Sequence, residues 1–108
     1  MIGYHWAPHD RYDSIRKHGL LVPTKHPRIV KPVTCSEGHR NPHISLGKTP
    51  TEAWALSAGM PWTPTGLWDL WEVWFMGKIP YRSIGTELQV RVDIPRFHVA
   101  YAGERMKS

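Results

Sequence analysis

The clearest alternation of apolar and polar positions runs from Glu87 to Asp93. Leu88, Val90 and Val92 fall on one side, with Glu87, Gln89, Arg91 and Asp93 on the other. Period two is the signature of a strand with one buried face. Short apolar runs at Ile2–Trp6, His43–Leu46 and His98–Ala102 predict three more strands. Leu67 to Phe75 places Leu67, Leu70, Trp71, Trp74 and Phe75 at helical spacing, but tryptophan, valine and phenylalanine favour a pleated surface. A strand with a wide apolar face is expected there.

Two helices are marked by the chemistry of their ends. Ala7-Pro8 opens the first, because proline suits a first helical position whose N–H has no partner in any case. Asp10 lies in its first turn and Arg16 and Lys17 in its last, the charge order that the helix dipole favours. Tyr12 and Ile15 share a face, Gly19 stops the helix, and Leu20 is placed to cover its end as in a Schellman cap. The second helix begins at Thr49-Pro50-Thr51-Glu52, a capping box, continues through Ala53, Trp54 and Leu56, and ends at Gly59. Between the helices, prolines at 23, 27, 32 and 42 forbid a long helix and leave room for one short strand within Arg28–Thr34. The rest is a loop carrying Lys25, His26, Arg28, Lys31, His39 and Arg40. Met60 to Gly66 is a proline-rich turn.

Composition narrows the picture. The chain has 108 residues, enough for one domain with one core. Six tryptophans exceed what such a core easily buries, so some are expected on a cleft or contact surface. The formal charge of +5 suits a polyanionic partner such as nucleic acid, a dinucleotide or an acidic protein, and equally suits plain solubility. A single cysteine, Cys35, rules out an intrachain disulfide and a tetrathiolate metal site. That fits a reducing compartment, and with no leader-like pattern in Met1–His5 the cytoplasm is the expected location. No apolar run reaches bilayer-spanning length. Cys35, His39 and His43 are spaced by four, but Gly38 and Pro42 oppose the helix that would align them, and no metal is expected.

Tyr4-His5-Trp6-Ala7-Pro8, followed by Ser14-Ile15-Arg16-Lys17-His18-Gly19-Leu20, resembles the first motif of the ADP-ribosyltransferase superfamily, which includes the RNA 2′-phosphotransferases. There a tyrosine-like residue, His, Gly and Thr precede a helix ending in Gly-Leu; here Trp6-Ala7 stands in place of Gly-Thr. Arg40-Asn41-Pro42-His43-Ile44-Ser45-Leu46 is similar to the second motif, a short strand facing the nicotinamide. Glu87, opening a strand that closes at Ile94-Pro95, looks like the last.

The resemblance implies an α+β fold: small split antiparallel sheets with two short helices around a cleft. It implies NAD as a substrate, with ADP-ribose passing to a protein or nucleic-acid acceptor, or NAD accepting the 2′-phosphate of an RNA. His5 would bond a ribose hydroxyl, since imidazole offers one donor and one acceptor, and Glu87 would stabilise positive charge at the reacting ribose carbon. Tyr4 and Trp6 would flank His5 against the cofactor, and His43 and Ser45 would line the nicotinamide side. Arg28, Arg40 or Arg91 would meet the pyrophosphate, which suits the guanidinium fork. A second class stays open: a non-catalytic module of the same fold that binds a protein or nucleic-acid partner, consistent with the short chain, Trp6 and surplus tryptophan.

Overall fold

The apolar run after Met1 becomes a central strand. In the computed structural model, which describes residues 1–30, 41–75 and 77–108, the strands are β1 (Ile2–Pro8), β2 (Ile44–Gly47), β3 (Gly66–Trp74), β4 (Arg82–Ile84), β5 (Glu87–Val90) and β6 (Val99–Lys107). They form one sheet of order β4-β5-β2-β1-β3-β6, antiparallel at every pairing. The helices are α1 (Tyr12–His18) and α2 (Pro50–Leu56).

The two separate sheets expected from the sequence are therefore continuous, but only just. β1 pairs with β3 along its whole length, from Ile2↔Trp74 to Pro8↔Trp68. With β2 it shares the single register pair Tyr4↔Gly47. A half-sheet of short strands (β4, β5, β2) thus meets one of longer strands (β1, β3, β6) at a narrow seam.

Each face of the sheet carries one helix. On one face Ile44, Leu46, Leu88, Val90, Trp71 and Val73 pack with Ile15 of α1. On the other, Trp6, Trp68 and Leu70 pack with Ala53 of α2 and with Ala58, and Tyr4 and Trp54 border this second cluster. Trp6 and Trp68 meet Trp54 edge to face, at centroid distances of 4.9 and 6.3 Å, and the Arg105 guanidinium lies 4.0 Å above the Trp54 ring centre. Tryptophan is thus absorbed into both cores, while Trp62 and Trp74 stay exposed.

Several boundaries differ from expectation. Pro8 does not open a helix: it ends β1, paired with Trp68 and extended at φ −55°, ψ 144°, and a 3-10 turn at His9–Arg11 precedes α1. Gly19 does stop α1, at φ +77°, where a Cβ would sit 2.1 Å from the Ile94 carbonyl oxygen. Leu20 bridges to Ile94 through two backbone hydrogen bonds of 3.0 and 2.8 Å rather than folding over the helix end. The cap of α2 forms as expected, the Glu52 N–H donating to Thr49 Oγ1 at 3.1 Å, but the helix ends at Leu56 and Gly59 closes a following turn. β5 stops at Val90, and Val92 is 37% exposed rather than inward. Asp93 explains this: its carboxylate accepts the Val22 N–H at 2.8 Å and lies 2.6 Å from His26 Nε2, pulling the chain out of the ladder. β4 is an addition to the expected strands, and β6 runs well past Ala102 because β3 offers it partners from Val73 to Gly66. Arg28–Val30 is in turns; the remainder of the possible strand to Thr34 lies outside the described residues. Among the described residues, no helix is long and apolar enough to cross a membrane.

Candidate functional site

Where the β1–β2 ladder would continue beyond Tyr4↔Gly47, a side chain takes over. His5 Nδ1 donates to the Ser45 carbonyl oxygen at 3.0 Å. A carbonyl can only accept, so the ring proton belongs on Nδ1 and Nε2 is left as an acceptor. Burial pushes the His5 pKa below its ordinary value; the Ser45 bond works against this and the Arg11 charge works with it. The Ser45 bond thus fixes the orientation of the His5 ring, and burial disfavours its charged form.

Strand pairing then builds outward from Ser45. In the β2–β5 register Ser45 faces Gln89, and Gly47 faces Glu87, so these residues share one face of the half-sheet. Ser45 Oγ donates to Glu87 Oε2, and Gln89 Nε2 donates to Glu87 Oε1 at 2.8 Å. His43 Nε2 lies 3.7 Å from Glu87 Oε2, and His43 Nδ1 is buried with no hydrogen-bond partner among the described residues. Both carboxylate oxygens of Glu87 are thus held from β2 and β5, and the whole group connects to His5 across the seam.

The seam opens into a cleft of about 700 Å³, lined by His5, His9, Arg11, His43, Ser45 and Trp62 among others. That volume lies in the range of small-molecule sites, roughly 300–1,000 Å³. Glu87 is one side chain removed from the wall and reaches it through the Ser45 hydroxyl. Trp6 borders the cleft, yet its side chain is buried against α2 and its indole N–H donates to the Pro50 carbonyl at 2.9 Å. Tyr4 packs at the second core and does not line the cleft. Arg28 and Arg91 are exposed and off the cleft wall, and Arg40 lies outside the described residues. So do Cys35 and His39; among those described, no group of three His, Cys, Asp or Glu is placed to hold a metal ion.

The chain matches no protein-family model and no curated protein. The site has a geometry of its own. That geometry contains one pair that no sequence motif marks: Asp69, fully buried on β3, with His9 Nδ1 at 2.9 and 3.1 Å from its two carboxylate oxygens. A signal does exist. Asp69, Trp71 and Val73 alternate along one strand, so an inward position in an apolar run is occupied by an acid, which is rare without a partner.

Proposed function

We propose that this chain is a NAD-consuming transferase of the ADP-ribosyltransferase type, moving ADP-ribose to a protein or nucleic-acid acceptor. The reading rests on the linkage of His5, His43, Ser45 and Glu87 across the β1–β2 seam, His5 reaching the Ser45 backbone carbonyl from one face of the sheet and the Ser45 and Glu87 side chains meeting on the other. These four residues come from different parts of the chain and are joined through the hydrogen bonds His5 to Ser45 and Ser45 to Glu87, with His43 3.7 Å from Glu87. They are among the residues that the three sequence motifs single out.

In this reading Nε2 of His5, the ring nitrogen not bonded to Ser45, accepts a hydrogen bond from a ribose hydroxyl and orients the sugar. As nicotinamide leaves with the bonding electron pair, positive charge builds on the ribose carbon. The negative field of Glu87, held rigid by Ser45 and Gln89, acts on that charge without reorganisation. His43 and Ser45 form the nicotinamide side of the wall. The basic surface attracts the anionic donor and a nucleic-acid acceptor.

The test is incubation with NAD labelled in its adenylate, following nicotinamide release and transfer of label to protein or oligonucleotide, including an RNA bearing a 2′-phosphate. Glu87→Gln should lower turnover by about 100-fold or more, and His5→Ala should both raise KM and lower kcat. Binding alone is read from tryptophan fluorescence, since Trp62 is 52% exposed on the cleft wall. Absence of NAD binding together with absence of transfer sinks the enzyme reading. The position of Glu87 behind Ser45 favours the competing reading, a binding module, which predicts that NAD stays intact while a polyanion or acidic protein binds.

A further inference from the structure

We infer that His9 is the base that takes the proton from the attacking acceptor, with Asp69 as its positioning residue; this rests on the transferase reading above. A fully buried carboxylate is costly unless something compensates it. The fold places Asp69 on β3 opposite Ala7, and the chain then turns at Pro8 so that His9 Nδ1 meets both carboxylate oxygens. The His9 side chain itself is 54% exposed and lines the same cleft as His5. With Nδ1 committed to Asp69, Nε2 lies at the opposite edge of the ring. One imidazole nitrogen is thus anchored to a buried acid on a half-exposed ring at the cleft wall, the arrangement that orients a general base and stabilises the cation it becomes.

The other histidines of the cleft are less suited. His5 spends its donor on Ser45 and faces the donor sugar in the transferase reading. His43 has one nitrogen buried and the other directed at Glu87. His9 follows His5 by four residues, just past the end of β1, and both line the cleft.

The step balances without a further reagent. A lone pair of the acceptor forms a bond to the ribose carbon as the carbon–nitrogen bond to nicotinamide breaks, and nicotinamide leaves with that pair as a neutral molecule. The proton of the acceptor passes to His9 Nε2, the Asp69 carboxylate offsets the imidazolium, and solvent later removes the proton. The acceptor class is one that must lose a proton, such as a hydroxyl or a ring N–H; water serves when no other acceptor is present.

The experiment is therefore NAD cleavage with water as acceptor. His9→Ala should lower kcat by about 100-fold while KM for NAD stays within about twofold, and added imidazole should restore kcat. Asp69→Asn should lower kcat with little change in KM and gain nothing from imidazole. A His9→Ala enzyme with unchanged kcat, with a loss confined to KM, or with a kcat loss that imidazole does not recover overturns the assignment. Wild-type protein that leaves NAD intact overturns the transferase reading and this inference with it, a result distinct from an active wild type whose His9 variant is equally active. His9→Ala strips the buried Asp69 carboxylate of its partner, so circular dichroism checks that each variant folds, and His9→Gln, whose amide can still donate to Asp69, is the folded control that should lose kcat equally.

Discussion

His5 couples the seam to pH. Its pKa is lowered in the folded chain, by burial above all and by the Arg11 charge, against the pull of its bond to Ser45. The unfolded chain therefore takes up the proton first as pH falls, and folding stability declines. The His5 contribution is fully present above the unfolded histidine pKa of about 6.5 and is lost as pH drops through the lower folded value. Urea unfolding at pH steps from 7.5 to about 5 should show the decline, and His5→Gln, which cannot titrate, should show a shallower one. Equal slopes would remove His5 as the cause. Trp6, the neighbour of His5, follows from strand alternation alone. Along β1, residues 4 and 6 fall on the face opposite residues 3, 5 and 7, so a bulky residue next to His5 is directed away from it. In the fold that direction leads to α2 and the Pro50 carbonyl.

At the scale of elements, Gly47 sets the distance between β2 and α2. A Cβ there would stand 2.3 Å from Ala53 N and 2.5 Å from Ala53 Cα, both backbone atoms that cannot swing aside. Gly47→Ala should cost about 1–3 kcal/mol in urea unfolding, the range for overpacking, and displace the Ser45 end of the seam. Lys48→Ala, at an exposed neighbour, should stay within about 0.5 kcal/mol. The elements legible in the sequence are those whose cause is local. Thr49, Pro50 and Glu52 specify the start of α2 through their own hydrogen bonding, and Leu88 and Val90 mark β5 by alternation. β4 leaves no such mark, because Arg82, Ser83 and Ile84 are all exposed and are strand only by pairing with β5. β6 is longer than its own residues suggest for the same reason: its length is set by β3, a partner distant in sequence. Val92 departs from the alternation because Asp93 bonds to Val22, a contact that no short window of sequence contains. The candidate site divides likewise. His5, His43, Ser45 and Glu87 are marked by resemblance, while the pairing of His9 with Asp69 spans sixty positions and depends on where Pro8 ends β1.

Across the whole molecule, the long-stranded half holds strands of seven, nine and nine residues, and the short-stranded half four, three and four. Stability in such a structure is not uniform, because opening proceeds in cooperative units of differing free energy. Amide hydrogen exchange should divide the sheet accordingly, with β1 and β3 among the slowest and β4, β5 and β2 faster as a group. Uniform protection across all six strands would contradict that division. The single-rung joint between Tyr4 and Gly47 then acquires a mechanical meaning. Exchange divided in that way would make it a flexure between two leaves of unequal stiffness, with the cleft beside it. A molecule seated against both His5 and Ser45 would act as a splint, and its arrival should be readable as slowed exchange in the weaker leaf, far from any atom it touches.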